Sequence, residues 1–173
     1  MIRKFEPKVV AVSSEMKSDV ADYLADGTGS VELLEGDQGI NTIATAGEVD
    51  IVVAGIAGAA GFASTVAAIK AGKKVLIANK EPLVMMGSYL MAEAAKAGAL
   101  VLPVDSEHNA IFQCLPREYR HSVMGQFAQE SSAVTGGRYP WNVAAVTLTA
   151  SGGPFLNTPD EMPTQVPPPQ AAR

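Results

Sequence analysis

The apolar positions of this chain fall into short continuous runs, separated by stretches in which they recur three and four residues apart. Val9-Val10-Ala11-Val12 is a run of the kind a buried strand needs. Ser13 and Ser14 stand where a helix N-cap is wanted, and Met16, Val20, Tyr23 and Leu24 follow at helical spacing. Residues 31–34 read as a weaker strand, and Ile40, Ile43 and Ala44 as a short helix with Gly47 near its end. The alternation then sharpens. Ile51-Val52-Val53-Ala54 runs into glycines, and Phe62, Val66 and Ile69 form a helix stripe closed by Gly72. Residues 75–78 are the next strand, Leu83, Met86, Leu90 and Ala94 the next helix, closed by Gly98, and Leu100-Val101-Leu102 the strand after it. Continuous apolar strands, each followed by a helix, predict an α/β fold with a parallel sheet covered on both faces. Right-handed crossovers make that sheet doubly wound.

Past Val104 the rhythm breaks. Residues 109–115 read as a short helix stopped by Pro116, residues 117–142 as irregular, and residues 144–149 as one more strand. The prolines from Pro159 onward exclude a regular helix of any length. Ligands of an open parallel sheet bind beyond the carboxyl ends of its strands. Three segments lie at such ends and should converge: 55–61, 79–82 and 104–109.

Each segment carries chemistry with an alternative beside it. Gly55, Gly58 and Gly61 let backbone approach a ligand closely, although their spacing is not the usual dinucleotide fingerprint; a tight strand-to-helix turn explains them equally. Asn79 offers donors and an acceptor, and Lys80 a cation at the mouth of the sheet. Glu81-Pro82 is also an ordinary helix start. Asp105 and Glu107, in extended chain, would point to one side roughly 7 Å apart. Two such carboxylates suit Mg²⁺ or Mn²⁺ but need a third ligand from elsewhere. The competing reading is a helix N-cap at Asp105 or Ser106. Ser151-Gly152-Gly153 can meet a phosphate or form a Gly-Pro turn. Cys114 and the seven methionines read as core, His121 as surface, and Trp141 carries no assigned role.

Composition narrows the field. A net charge of −5 argues against a nucleic-acid partner, while 47% apolar and 18% charged residues suit a folded globular chain. The single cysteine forms no internal disulfide and fits a reducing compartment. No stretch matches a signal peptide or a membrane span, so a cytoplasmic location is expected.

Taken in order, Gly58-Ala59-Ala60-Gly61, Ala78-Asn79-Lys80-Glu81, the run from Pro103-Val104-Asp105-Ser106-Glu107-His108-Asn109 to Gln113, and Ser151-Gly152-Gly153-Pro154-Phe155 resemble the 1-deoxy-D-xylulose 5-phosphate reductoisomerase family. The resemblance implies conversion of a small phosphorylated sugar, with NADPH and Mn²⁺ or Mg²⁺, to 2-C-methyl-D-erythritol 4-phosphate in isoprenoid precursor synthesis. It also implies a homodimer in the complete enzyme. On that basis Gly58, Asn79 and Glu81 contact NADPH. Lys80 and Glu107 are catalytic, Lys80, Ser106, Glu107 and Ser151 bind substrate, and Asp105 and Glu107 bind the metal. Residues 1–103 would be part of a Rossmann-like NADPH-binding domain that lacks its first strand-loop-helix, and residues 104–173 the start of an α+β catalytic domain.

Two departures qualify the match. Pro82 stands where the family has serine, which removes a hydroxyl and a backbone donor beside the expected cofactor. The segments that supply a dinucleotide loop, a third metal carboxylate and a lid have no counterpart, so these 173 residues are expected to be inactive alone. Two other readings share the scaffold. One is a different nicotinamide-dependent dehydrogenase. The other is a non-catalytic interaction module, in which an absent edge strand exposes sheet edge and favours self-association.

Overall fold

The computed structural model describes residues 2–25, 31–116, 143 and 145–149. The α/β alternation is as predicted. After a short N-terminal helix α1 (Ile2–Phe5) come β1 (Val9–Val12), α2 (Lys17–Ala25), β2 (Glu32–Glu35) and α3 (Gly36–Thr45). Then follow β3 (Ile51–Ala54), α4 (Phe62–Lys70), β4 (Lys74–Ile77), α5 (Glu81–Ala97), β5 (Leu100–Pro103) and α6 (Ser106–Cys114). All pairings are parallel. They form two sheets, β1-β2 and β3-β4-β5. In the larger sheet Ile51 lies opposite Lys74, and Lys74 opposite Leu100. The open strand edges therefore include one on β1 and one on β3, between the two sheets.

The core sits where β4 is covered by α4 and α5. Val75 and Ile77 alternate along β4, and Ala68, Ile69, Leu90 and Ala94 close over them, each nearly or fully buried. Helix α5 ends where Gly98 takes φ +67°, which exposes no Cβ to the preceding carbonyl. Its middle is kinked at Met86 (φ −147°, ψ 39°), just before the Gly87-Ser88 pair, a sequence that weakens helical continuity. Among the described residues no helix is long and apolar enough to cross a membrane.

Several expectations change. Ser13 occupies an N-cap position, but its hydroxyl makes no capping hydrogen bond. The last helix begins at Ser106, three residues earlier than predicted. Residues 145–149 are exposed and form no strand, since none of the described residues pairs with them. Cys114 is exposed rather than core. Met16, Met85, Met86 and Met91 are also exposed; α5 buries only the line of Pro82, Leu90 and Ala94.

Leu90 is fully buried and Met91 is 47% exposed, one residue apart on the same helix. Leu90→Ala should lower unfolding free energy in urea by about 2–5 kcal/mol, through lost transfer energy and a residual cavity. Met91→Ala should change it by less than about 0.5 kcal/mol. Equal effects would show that the core is not centred under α5.

Candidate functional site

The candidate site is assembled at the carboxyl ends of β3, β4 and β5. Because β3 and β4 are in parallel register, Ala54 and Ile77 finish side by side, and Ile77 in turn lies opposite Pro103. The three segments singled out from the sequence thus leave the sheet along one edge.

Asn79 joins the first two. It is 5% exposed, and its amide nitrogen donates to the carbonyl oxygens of Ile56 and of Gly58, the latter at 3.0 Å. Its Oδ1 accepts the backbone N–H of Glu81 at 3.1 Å. The turn after β3 is consequently clamped to the start of α5. Gly58 takes φ +70°, and Gly58–Gly61 form a 3-10 turn that feeds α4. At Gly61 a Cβ would collide with the Ile56 carbonyl oxygen and lie 2.8 Å from the Asn79 nitrogen. The Thr65 hydroxyl donates to the Gly61 carbonyl at 2.7 Å from inside α4. These contacts make the glycine turn a fixed cradle with backbone close to the surface.

Lys80 occupies the N-cap position of α5, where its carbonyl accepts from Leu83 and Val84 at 3.0 Å. Its side chain is exposed and pairs with no carboxylate among the described residues. Glu81 opens the helix, and Pro82 behind it is buried. A cation here faces the mouth of the sheet without a counter-ion among the described residues.

Asp105 and Glu107 come together differently from the extended geometry expected. Asp105 is extended (φ −60°, ψ 147°), but Ser106 and Glu107 already belong to α6. The pair therefore occupies the N-cap and first turn of a helix, and the alternation of an extended strand does not apply. The capping reading gives the position correctly, but the Asp105 carboxylate makes no cap bond. It instead meets Nδ1 of His108 one turn on, with Asp105 largely covered and His108 about half exposed. Asn109 anchors the turn by donating from its side-chain amide to the Pro103 carbonyl at 2.8 Å.

His108 and Asn109 were not assigned individual roles from sequence. The available signal was the three-residue spacing from Asp105 to His108, which a helix closes. Glu107 also borders a concavity of about 260 Å³ between α6 and residues 143 and 145–149. Ser106 is exposed beside it, and Ser151 lies outside the described residues, as do His121 and Trp141.

As a donor set, Asp105 and Glu107 suit a hard cation. Mg²⁺ commonly uses one or two carboxylates and completes its shell with water and substrate oxygens. Among the described residues no group of three or more His, Cys, Asp and Glu could hold a metal. The two carboxylates suit the ion in kind, and further ligands would have to come from elsewhere.

Residues 1–87 match the profile described as 1-deoxy-D-xylulose 5-phosphate reductoisomerase, and residues 101–173 that of its C-terminal domain. The chain is 45% identical over 172 residues to the 1-deoxy-D-xylulose 5-phosphate reductoisomerase of Acinetobacter baumannii, covering 99% of this chain and 40% of that one. It is 47% identical over 162 residues to the Pseudomonas putida enzyme of the same name, covering 94% and 37%. A crystal structure of DOX-P reductoisomerase in complex with NADPH, fosmidomycin and magnesium superposes with TM-score 0.67 at 42% identity, over 72% of this chain and 32% of that one. The chain thus spans about 40% of the length of the curated relatives it matches.

The tight approach at Gly61 yields a direct test. Gly61→Ala should destabilise the chain by about 1–3 kcal/mol in denaturant unfolding, since backbone and the buried amide must shift. At Gly55 a Cβ would meet nothing within 4 Å. Gly55→Ala should therefore be close to neutral. A neutral Gly61→Ala would mean that Asn79 does not hold the turn closed.

Proposed function

The chain belongs to the 1-deoxy-D-xylulose 5-phosphate reductoisomerase family, and on that premise we propose that its residues supply part of the site at which such an enzyme converts 1-deoxy-D-xylulose 5-phosphate to 2-C-methyl-D-erythritol 4-phosphate, a step toward isoprenoid precursors. The observation that carries the reading is the neighbourhood of Lys80, past the end of β4, and the Asp105-Ser106-Glu107 turn, past the end of the adjacent β5. A cation without a counter-ion among the described residues and two carboxylates at one sheet edge suit a phosphorylated hydroxyketone with a divalent ion.

In this reading Asp105 and Glu107 hold Mg²⁺ or Mn²⁺, and the glycine turn at Gly58, with Asn79 and Glu81, receives NADPH. When bound, the ion supplies Lewis acidity toward substrate oxygens and NADPH supplies the hydride. Lys80 binds an anionic or carbonyl oxygen of the substrate and opposes charge that develops there. The Ser106 hydroxyl hydrogen-bonds the substrate beside Glu107, and Ser151 binds its phosphate end. Asn79 acts on the cofactor through the turn it clamps, because its donors and its acceptor are already engaged with backbone. Pro82 offers no N–H at the second helical position, so cofactor contacts fall to the residues before it. We assign the complete enzyme to the cytoplasm as a homodimer.

A second reading has a specific observation in its favour. Asp105 stands at the N-cap of α6 and contacts His108. It would then serve the helix alone and take no part in holding the ion. Titration of Mn²⁺, followed by the paramagnetic resonance signal of the free ion, separates the two. The reductoisomerase reading expects Asp105→Ala to weaken Mn²⁺ binding by about tenfold or more. Unchanged affinity would contradict it. The 173 residues alone are expected to show no substrate-dependent NADPH oxidation with Mn²⁺. Turnover near that of a full-length relative would overturn that expectation.

A further inference from the structure

The turn that carries Asp105 and Glu107 is closed from both sides by Asn109. Val104 and Asp105 are the residues between β5 and α6. The Val104 N–H donates to the Ile77 carbonyl at 2.9 Å, so the polar groups of Val104 face β4. By the alternation of a parallel ladder, the carbonyl of Pro103 faces away from β4, and proline brings no N–H of its own. Asn109 takes up that carbonyl, donating from Nδ2 at 2.8 Å out of a half-buried position. Its backbone N–H donates to the Asp105 carbonyl at 2.9 Å. One residue is thus bonded to the last residue of β5 through its side chain and to the N-cap residue of α6 through its backbone.

The orientation of this amide is determined by its two partners. A carbonyl oxygen accepts and cannot donate, so the atom of Asn109 that faces Pro103 is the nitrogen. Its Oδ1 accepts from Nε2 of Gln113, one turn further along α6. A flipped amide would set oxygen against the Pro103 carbonyl oxygen. Two carboxylates hold one cation well when both are presented together, and a turn that must first be ordered gives up part of the affinity. We infer that Asn109 is a positioning residue for the ion site, fixing Asp105 and Glu107 relative to each other, and that Gln113 orients its amide. Among the described residues the side-chain hydrogen bonds of Asn109 go to Pro103 and Gln113, so it acts on the ion through the turn it closes. The inference rests on the reading in which Asp105 and Glu107 hold Mg²⁺ or Mn²⁺.

The test measures the Mn²⁺ affinity of the 173-residue chain from the paramagnetic resonance signal of the free ion, with amide exchange as the control on folding. Asn109→Leu keeps the bulk of the side chain and removes both polar atoms. It should weaken Mn²⁺ binding about fivefold. Protection of the Val104 N–H, which bonds to Ile77, should persist and mark the change as local. Gln113→Ala, at an exposed position, removes the contact that orients the amide and serves if Asn109→Leu does not fold. It should weaken binding about twofold. In an Asp105→Ala chain, Asn109→Leu should add no further loss, because the pair it positions is already broken; a general loosening of the fold would add the same factor in both backgrounds. That equal factor would overturn the inference. If Asp105→Ala weakens binding and neither Asn109→Leu nor Gln113→Ala does, the metal reading stands and this inference falls. If Asp105→Ala leaves the affinity unchanged, both fall.

Discussion

One side-chain amide fixes the candidate site. Asn79 is buried at the end of β4, where an unsatisfied amide would be costly, and it resolves that by bonding the carbonyls of Ile56 and Gly58 and the N–H of Glu81. Three consequences follow. The turn after β3 is held against the start of α5. Gly61 must lack a side chain, because Asn79 and the Ile56 carbonyl fill the space beside its Cα. And α5 begins at Glu81, which leaves Lys80 at the mouth of the sheet with its side chain exposed. A local polar contact thereby determines where the cation, the helix start and the glycine cradle lie.

Much of this was legible in the sequence because the strands from β3 onward are continuous apolar runs ending in glycine, asparagine or aspartate, and their helices carry clear stripes. The order of segments also carried the family resemblance. What periodicity cannot give is what covers a face. The stripe through Met86 was real as far as spacing goes, yet a kink at that residue turns it outward. Cys114 lies exposed on α6. Asp105 and Glu107 admit both an extended reading and a helix N-cap, and the N-cap holds because only Val104 and Asp105 separate the strand from α6. The split into two sheets was equally hidden, since apolar runs report burial and say nothing about which neighbour pairs with them.

At the site, the Asp105 carboxylate meets His108, and Lys80 pairs with no carboxylate among the described residues. A chain that spans about 40% of its relatives' length is expected to show such a group where the remainder of those proteins would pack. Lys80 and the Asp105-Ser106-Glu107 turn stand past the ends of adjacent strands.

The most direct test is where a paramagnetic ion settles on the folded chain. In a two-dimensional amide NMR spectrum with substoichiometric Mn²⁺, the account predicts selective broadening of residues 104–109 and of the neighbouring 79–81, with α3 and the amino-terminal end of β4 unaffected. Broadening centred instead on the carboxylates of Glu35 or Glu93, with the Asp105 turn left sharp, would contradict it.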